Sequence, residues 1–324
     1  MSSDGLTIRR ALPADRPQII ALLAASLGRE TDPRFEELYS WKHEENAFGS
    51  SASWVACDGE TIAGFRALMR WEFTRGDELL RCVRAVDTAT HPDYQGQGIF
   101  TRLTLRGIDE LRDEGCRFVF NTPNEQSRPG YLKMGWSVVG QPHVFFRPRS
   151  ATAALKMLRS RTPAERWSSP SDLGAPAAEI LSDARGLQAL LDSRPRVAAL
   201  RTRHTAESLE WRFGSELLSY RIVTGDSGVE DGIAVVRVRQ RGDAREAALC
   251  EVIAPDDNAK ARKALVKAVT RQVDADYVLR LGVNSDGMLP LPRQGPILTW
   301  RGVTETEMPA LDNWLLTLGD IELF

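Results

Sequence analysis

Residues 91–100 read HPDYQGQGIF, with Gly96 and Gly98 one residue apart. Glycines this close let the backbone take positive φ or approach another group closely. The stretch before them, LLRCVRAVDTAT (79–90), reads as a long strand. The stretch after, IFTRLTLRGIDELRDEG (99–115), spaces Ile99, Leu103, Leu105, Ile108 and Leu111 as a helix and stops at Gly115. A strand, a glycine turn and a helix start direct free backbone N–H groups and the positive end of a helix dipole at one point. That is an anion site suited to a phosphate or pyrophosphate. No Gly-Lys-Ser/Thr follows, so it is not a Walker loop, and Phe100-Thr101 breaks the dinucleotide GxGxxG spacing.

The flanks supply the rest of a first unit. LTIRRALPADRPQIIALLAAS (6–26) reads as a strand and a helix with Ile19, Ile20, Leu22, Leu23 and Leu27 inward. SWVACDGETIAGFRALMRWEF (53–73) is a hairpin turning at Asp58-Gly59. CRFVFNT is a buried strand, YLKMG a short helix, and WSVVG and HVFFRP two closing strands. Residues 149–175 hold one possible helix and a Ser/Pro/Gly stretch that reads as a linker.

Beyond the linker the plan returns. Leu38-Tyr39-Ser40-Trp41-Lys42 is echoed by Ser208-Leu209-Glu210-Trp211-Arg212, and the Gly64-Phe65 strand by Gly232-Ile233. The strand ALCEVIAPDD, the helix KARKALVKAVTRQV and the strand YVLRLGV follow in the same order. Where the first half has QGQG, the second has Asp257-Asn258-Ala259-Lys260. We read an internal duplication whose second copy lacks the glycine loop.

Gln95-x-x-Gly98-x-Phe100 after His-Pro-Asp-Tyr resembles the Gln/Arg-x-x-Gly-x-Gly/Ala signature of the GNAT acetyltransferase superfamily. Asn124, then Tyr131 seven residues on, then Lys133-Met134-Gly135-Trp136, resembles that family's second signature. The resemblance covers residues 6–148 closely and 176–324 as an architectural echo. It implies an α/β (α+β) fold of two GNAT-like domains, each a mixed, mostly antiparallel sheet flanked by helices. The expected division is 1–148 catalytic, 149–175 linker and 176–324 degenerate copy. The implied co-substrate is acetyl-CoA or another acyl-CoA. Backbone amides of Gln95, Gly96, Gln97, Gly98, Ile99 and Phe100 would take its pyrophosphate. The edge Thr88-Ala89-Thr90 would pair with the pantetheine amides, and Asn124 would contact the cofactor arm. Phe100 departs from the small residue usual at its position; its ring either turns into the core or crowds the phosphate.

The resemblance also implies the chemistry, N-acyl transfer to a primary amine by direct attack. Tyr131 matches the tyrosine that protonates the leaving thiolate; the plain alternative is a core-edge tyrosine. Asp87 would accept the amine proton, directly or through water, or would instead pair with Arg84. The rival functions are a non-catalytic CoA-binding or sensing module and a transferase for longer acyl groups. His91 reads mainly as turn chemistry, and Trp41 and Trp211 as core anchors. Arg66, Arg70, Trp71 and Arg84 line either an acceptor pocket or a solvated face. The apolar end LDNWLLTLGDIELF is expected to dock, either as structure or with Asp320, Glu322 or the Phe324 carboxylate facing a cationic acceptor.

Composition bounds these readings. A net charge of −2 with no basic block lacks the footprint of a nucleic-acid binder. No apolar run reaches the roughly 18 residues of a membrane span, and MSSDGLTIRR has no signal-peptide core. Cys57, Cys82, Cys116 and Cys250 are dispersed, which fits reduced, buried thiols of a cytoplasmic protein and no metal site. The acceptor expected is a small-molecule amine; the sequence leaves its identity and the oligomeric state open.

Overall fold

The structure, a computed structural model, describes residues 5–27, 32–160 and 162–322. The chain runs β1 (Thr7–Arg10), α1 (Arg16–Leu27), α2 (Arg34–Tyr39), β2 (Ala52–Asp58), β3 (Thr61–Arg75), β4 (Glu78–Thr90), α3 (Ile99–Asp113) and β5 (Phe118–Asn121). There follow α4 (Arg128–Lys133), β6 (Ser137–Gly140), β7 (Val144–Pro148), α5 (Ala151–Arg159), β8 (Ala175–Pro176), α6 (Ala177–Leu181), α7 (Ala184–Asp192), β9 (Arg201–Thr202) and α8 (Ala206–Phe213). The last part comprises β10 (Arg221–Gly225), β11 (Gly228–Arg241), β12 (Ala244–Ile253), α9 (Ala259–Gln272), β13 (Tyr277–Leu281), β14 (Leu289–Pro290), β15 (Leu298–Gly302) and α10 (Leu318–Ile321).

Two mixed sheets result. The first is ordered β1-β2-β3-β4-β5-β15-β6, with β9 on β3; the second is β14-β7-β13-β12-β11-β10-β8. Read from the opposite end, the second repeats the first position by position. In each, the parallel pair is β4 with β5 or β12 with β13, and the remaining neighbours are antiparallel.

The boundary expected at residue 148 does not separate the sheets. HVFFRP, read as the closing strand of the first half, is β7 and pairs with β13; β15, from the far end of the chain, pairs with β5. Each sheet therefore takes the strand beside its fourth or twelfth strand's partner from the other half. The physical reason is that the free edge of β5 or β13 needs a hydrogen-bonded neighbour, and either half can supply one. Residues 160–174 are not a loose linker either. Glu165 N donates to Gln240 O (2.7 Å), Ser169 N to Val238 O (2.8 Å), and Trp167 Nε1 to Asp32 Oδ2 (2.7 Å).

The largest core lies between the sheets. Met69, Trp71 and Phe73 from β3 meet Ile233 and Val235 from β11, with Leu209, Trp211 and Phe213 of α8 between them. On the outer faces, α3 and α4 cover the first sheet with Ile99, Leu103, Ile108 and Tyr131, and α9 covers the second with Leu265, Val266 and Val269. Alternation along β3 explains the division: odd-numbered side chains face the interface and even-numbered ones face α3.

Trp41 and Trp211 meet at the centre. Their rings stack at 5.5 Å, Trp41 Nε1 donates to Trp211 O (2.6 Å), and Trp211 Nε1 donates to Trp41 O (2.7 Å). A contact in which i bonds j and j bonds i marks an approximate two-fold axis. The repeated Trp thus anchors the junction of the halves, rather than a corner within each.

Trp211→Phe removes one of these bonds and leaves the buried Trp41 carbonyl without it. We expect a loss of about 2–4 kcal/mol in urea unfolding. The transition should remain single, because strand exchange ties the sheets together. Two separated transitions would contradict the shared core.

Candidate functional site

The pairing of β3 with β4 runs Gly64↔Thr90, Phe65↔Ala89, Arg66↔Thr88, then shifts to Leu68↔Ala85. One extra residue on β4 makes a bulge at Val86-Asp87. On its other side β4 pairs with β5 only at Val83 and Arg84. Beyond these the strands splay, and among the described residues no strand pairs with that edge of β4 from Ala85 to Thr90.

The wedge holds a cavity of about 440 Å³ lined by Asp87, Thr88, Asn121, Asn124 and Tyr131. Its far wall comes from Ala164–Arg166 and from Arg239 of the second sheet. Four residues singled out in the sequence thus meet in one place. The Ala89 side chain instead points into the α1 core, beside Ile19 and Phe65. Asn124 Oδ1 accepts from Ser127 N (2.9 Å) and Gln126 N (3.1 Å), fixing the turn into α4.

At the glycine loop, a His91 ring nitrogen accepts from Asp93 N (3.3 Å), so His91 serves the turn. Gly98, at φ 71°, is the residue preceding α3 and offers no side-chain cap to the first helical N–H groups. A Cβ at Gly96 or Gly98 would meet nothing within 4 Å, so the loop is open outward. Gln95 and Gln97 flank it, and Ile99 is buried beneath, packed on Gly64. Phe100 turns inward. Its Cε1 lies 3.2 Å from where a Gly130 Cβ would stand, and its ring meets Tyr131 edge-on at 5.4 Å. The ring does not crowd the loop.

Tyr131 is buried at the inner end of α4, with Trp136 at 5.1 Å on another side. The Arg66 guanidinium lies 5.5 Å from the centroids of both Tyr131 and Phe100. Arg66 is wholly buried; Nη1 donates to the bulge carbonyl of Val86 (3.3 Å), while Nε and Nη2 have no partner among the described residues. An uncompensated buried cation with orphan donors costs roughly several kcal/mol. Retained beside the bulge and Tyr131, it offers positive charge and donors to an anionic group there.

Asp87 does not pair with Arg84. Lys42 Nζ donates to its Oδ2 (3.0 Å), and His43 Nε2 lies 2.9 Å from the same oxygen. Both come from Ser40–Glu44, a π-helical turn, a geometry often found at functional sites. Burial pushes the His43 pKa below its usual value, against the opposing pull of Asp87. A neutral ring facing a carboxylate donates through Nε2–H, leaving Nδ1 to accept from Ser51 Oγ (2.9 Å). Sequence reading stopped at Trp41 and passed over the next two residues; the signal was two basic residues directly after a repeated Trp.

Arg84 lines the cavity floor instead. It donates through Nη1 to Asp320 O and through Nη2 to Thr122 Oγ1 (3.1 Å), and burial lowers its pKa to about 9. The C-terminal segment is docked here by its interior. Thr202 Oγ1 donates to Asp320 Oδ1 (2.7 Å), and Glu322 Oε1 accepts from Tyr220 OH (2.6 Å) and Arg237 Nη1 (3.3 Å). Burial alone would raise the Glu322 pKa, but Arg237, Arg239 and Arg212 outweigh it and hold it at about 2. Asp320 and Glu322 are therefore structural ions, not acceptor-facing bases. Phe324 lies outside the described residues.

The second copy keeps the frame and changes the chemistry. The bulge recurs between Val235 and Val236, which places Glu251 where Asp87 stands. Glu251 Oε2 is met by His204 Nε2 (3.2 Å) and Thr317 Oγ1 (3.0 Å). Ahead of α9, Asn258 Oδ1 accepts from Lys260 N (2.9 Å) and Ala261 N (3.1 Å), so the helix start is already capped.

Among known proteins, the family model described as an acetyltransferase (GNAT) domain matches residues 7–139. Solved structures with the same fold include a probable N-acyltransferase from Enterococcus faecalis V583 (TM-score 0.65, 11% identity). GCN5-related N-acetyltransferases from Anabaena variabilis (0.61, 14%) and Kribbella flavida (0.57, 15%) are also similar. Each comparison covers 92% of this chain, and 72%, 73% and 72% of the other chain in that order. No curated protein sequence matches the chain. Residues 7–139 thus belong to the GNAT acetyltransferase family, built here into a strand-exchanged chain of two like sheets.

Proposed function

We propose that the first-sheet cavity transfers an acetyl or other acyl group from acyl-CoA to a primary amine of a small molecule. The observation that carries this reading is the convergence of Asp87, Thr88, Asn124 and Tyr131 on one cavity beside the bulge. Acyl-CoA supplies an activated thioester. The residues present fit it: an uncapped helix start at Gly98 for the pyrophosphate, an open β4 edge for the pantetheine amides, and orphan donors on Arg66 beneath the bulge.

In this reading Tyr131 donates its phenolic proton to the departing thiolate; an ordinary phenol, with pKa near 10, is protonated at neutral pH. Asp87, fixed by Lys42 and His43, accepts the amine proton directly or through water. Splaying of β4 from β5 exposes backbone donors that stabilise the tetrahedral oxyanion. The second half contributes Arg239 to the acceptor wall and holds no second uncapped loop.

Tyr131→Phe should lower kcat by about 10²-fold while leaving CoA affinity nearly unchanged. Release of CoA thiol in steady state, with binding measured separately, checks this; an unchanged kcat removes Tyr131 from the chemistry.

Gly98→Val should weaken acetyl-CoA binding by well over tenfold. A β-branched residue at φ 71° also costs folding about 1–3 kcal/mol. Calorimetry on the folded variant tests this, and unchanged affinity would mean the loop is only a turn.

A further inference from the structure

The two copies differ in one element besides the glycine loop. After β5 the first copy inserts α4, whose Tyr131 and Met134 complete the apolar cluster under α3. After β13 the second copy has only the turn 282–288 before β14, and Met288 alone reaches the matching cluster under α9. The registers superpose: Arg301↔Val119 in the first sheet answers Arg147↔Val278 in the second. Arg301 donates to Met134 O at the end of α4, and Arg147 donates to Gly287 O (3.3 Å) in the turn. The place of α4 is therefore open in the second copy, as a groove of about 520 Å³ between α9 and the β7–β13 strands.

The groove has an apolar floor of Val266, Val273, Val278 and Met288. Its rim carries Arg147, Arg149, Lys263, Lys267 and Arg271, all exposed. The lone lining acid, Asp286, is bound by Arg262 and Arg280. Arg149 pairs with the exposed Asp274 (2.9 Å); among the described residues no carboxylate pairs with the other four. We propose that this groove docks a short, acidic, amphipathic helix of a partner protein in the position α4 holds in the first copy. The α4 frame gives the occupant its helical shape, the floor takes its apolar stripe, and the basic rim selects acidic flanks.

The test uses the full chain and a fluorescein-labelled, helix-forming peptide of about three turns, with leucines at i, i+3, i+4 and i+7 and glutamates elsewhere. Anisotropy should show saturable binding that weakens with salt, and a version with lysines for glutamates should not bind. The variant Lys263→Glu/Lys267→Glu/Arg271→Glu should bind the glutamate peptide at least about tenfold more weakly, with its circular dichroism and CoA release unchanged. No binding of the glutamate peptide, equal binding by the variant, or tighter binding of a short RNA duplex or of phosphatidylserine vesicles than of the peptide would overturn the proposal.

Discussion

The architecture depends on the unpaired edge that each splayed strand pair leaves behind. Opening β4 from β5 makes the cavity, but it also leaves β5 with a free edge on its far side. That edge is closed by β15, and the matching edge of β13 is closed by β7. Each half thus finishes the other's sheet, and neither sheet is complete within one continuous half of the chain. The reciprocal Trp41–Trp211 bonds fix the two halves at one distance, so the wall containing Arg239 faces the wall containing Asp87 and Tyr131.

Within this common frame the two copies have taken different paths at equivalent positions. Asp87 is clamped by Lys42 and a neutral His43; Glu251, at the matching bulge, is met by His204 and Thr317. The first helix start is left open by Gly98, whereas the second is capped by Asn258 and preceded by two aspartates that repel a phosphate. The bulge that supports chemistry in one sheet serves packing in the other. Its Glu251 neighbour Asp320 carries the C-terminal segment, whose carbonyls hold Arg84 at the cavity floor.

Much of this was legible in the sequence, because local signals have local causes. The glycine loop, the Asn124-to-Tyr131 spacing, the Asp58-Gly59 hairpin and the repeated Trp each reflect short-range geometry. Strand exchange was not legible. HVFFRP and ILTWRG are both apolar strands, and nothing in either specifies which sheet receives it, since pairing partner is a tertiary choice. The Lys42–Asp87 pair spans 45 residues and depends on a π-helical turn that has no sequence signature. Likewise, a Ser/Pro-rich stretch looks like a tether until Glu165 and Ser169 are seen bonded along β11.

The central claim is that duplication kept two frames but only one open anion loop. Calorimetric titration of acetyl-CoA into the full chain measures this directly. The account predicts one site per chain. Two sites of comparable affinity would contradict it.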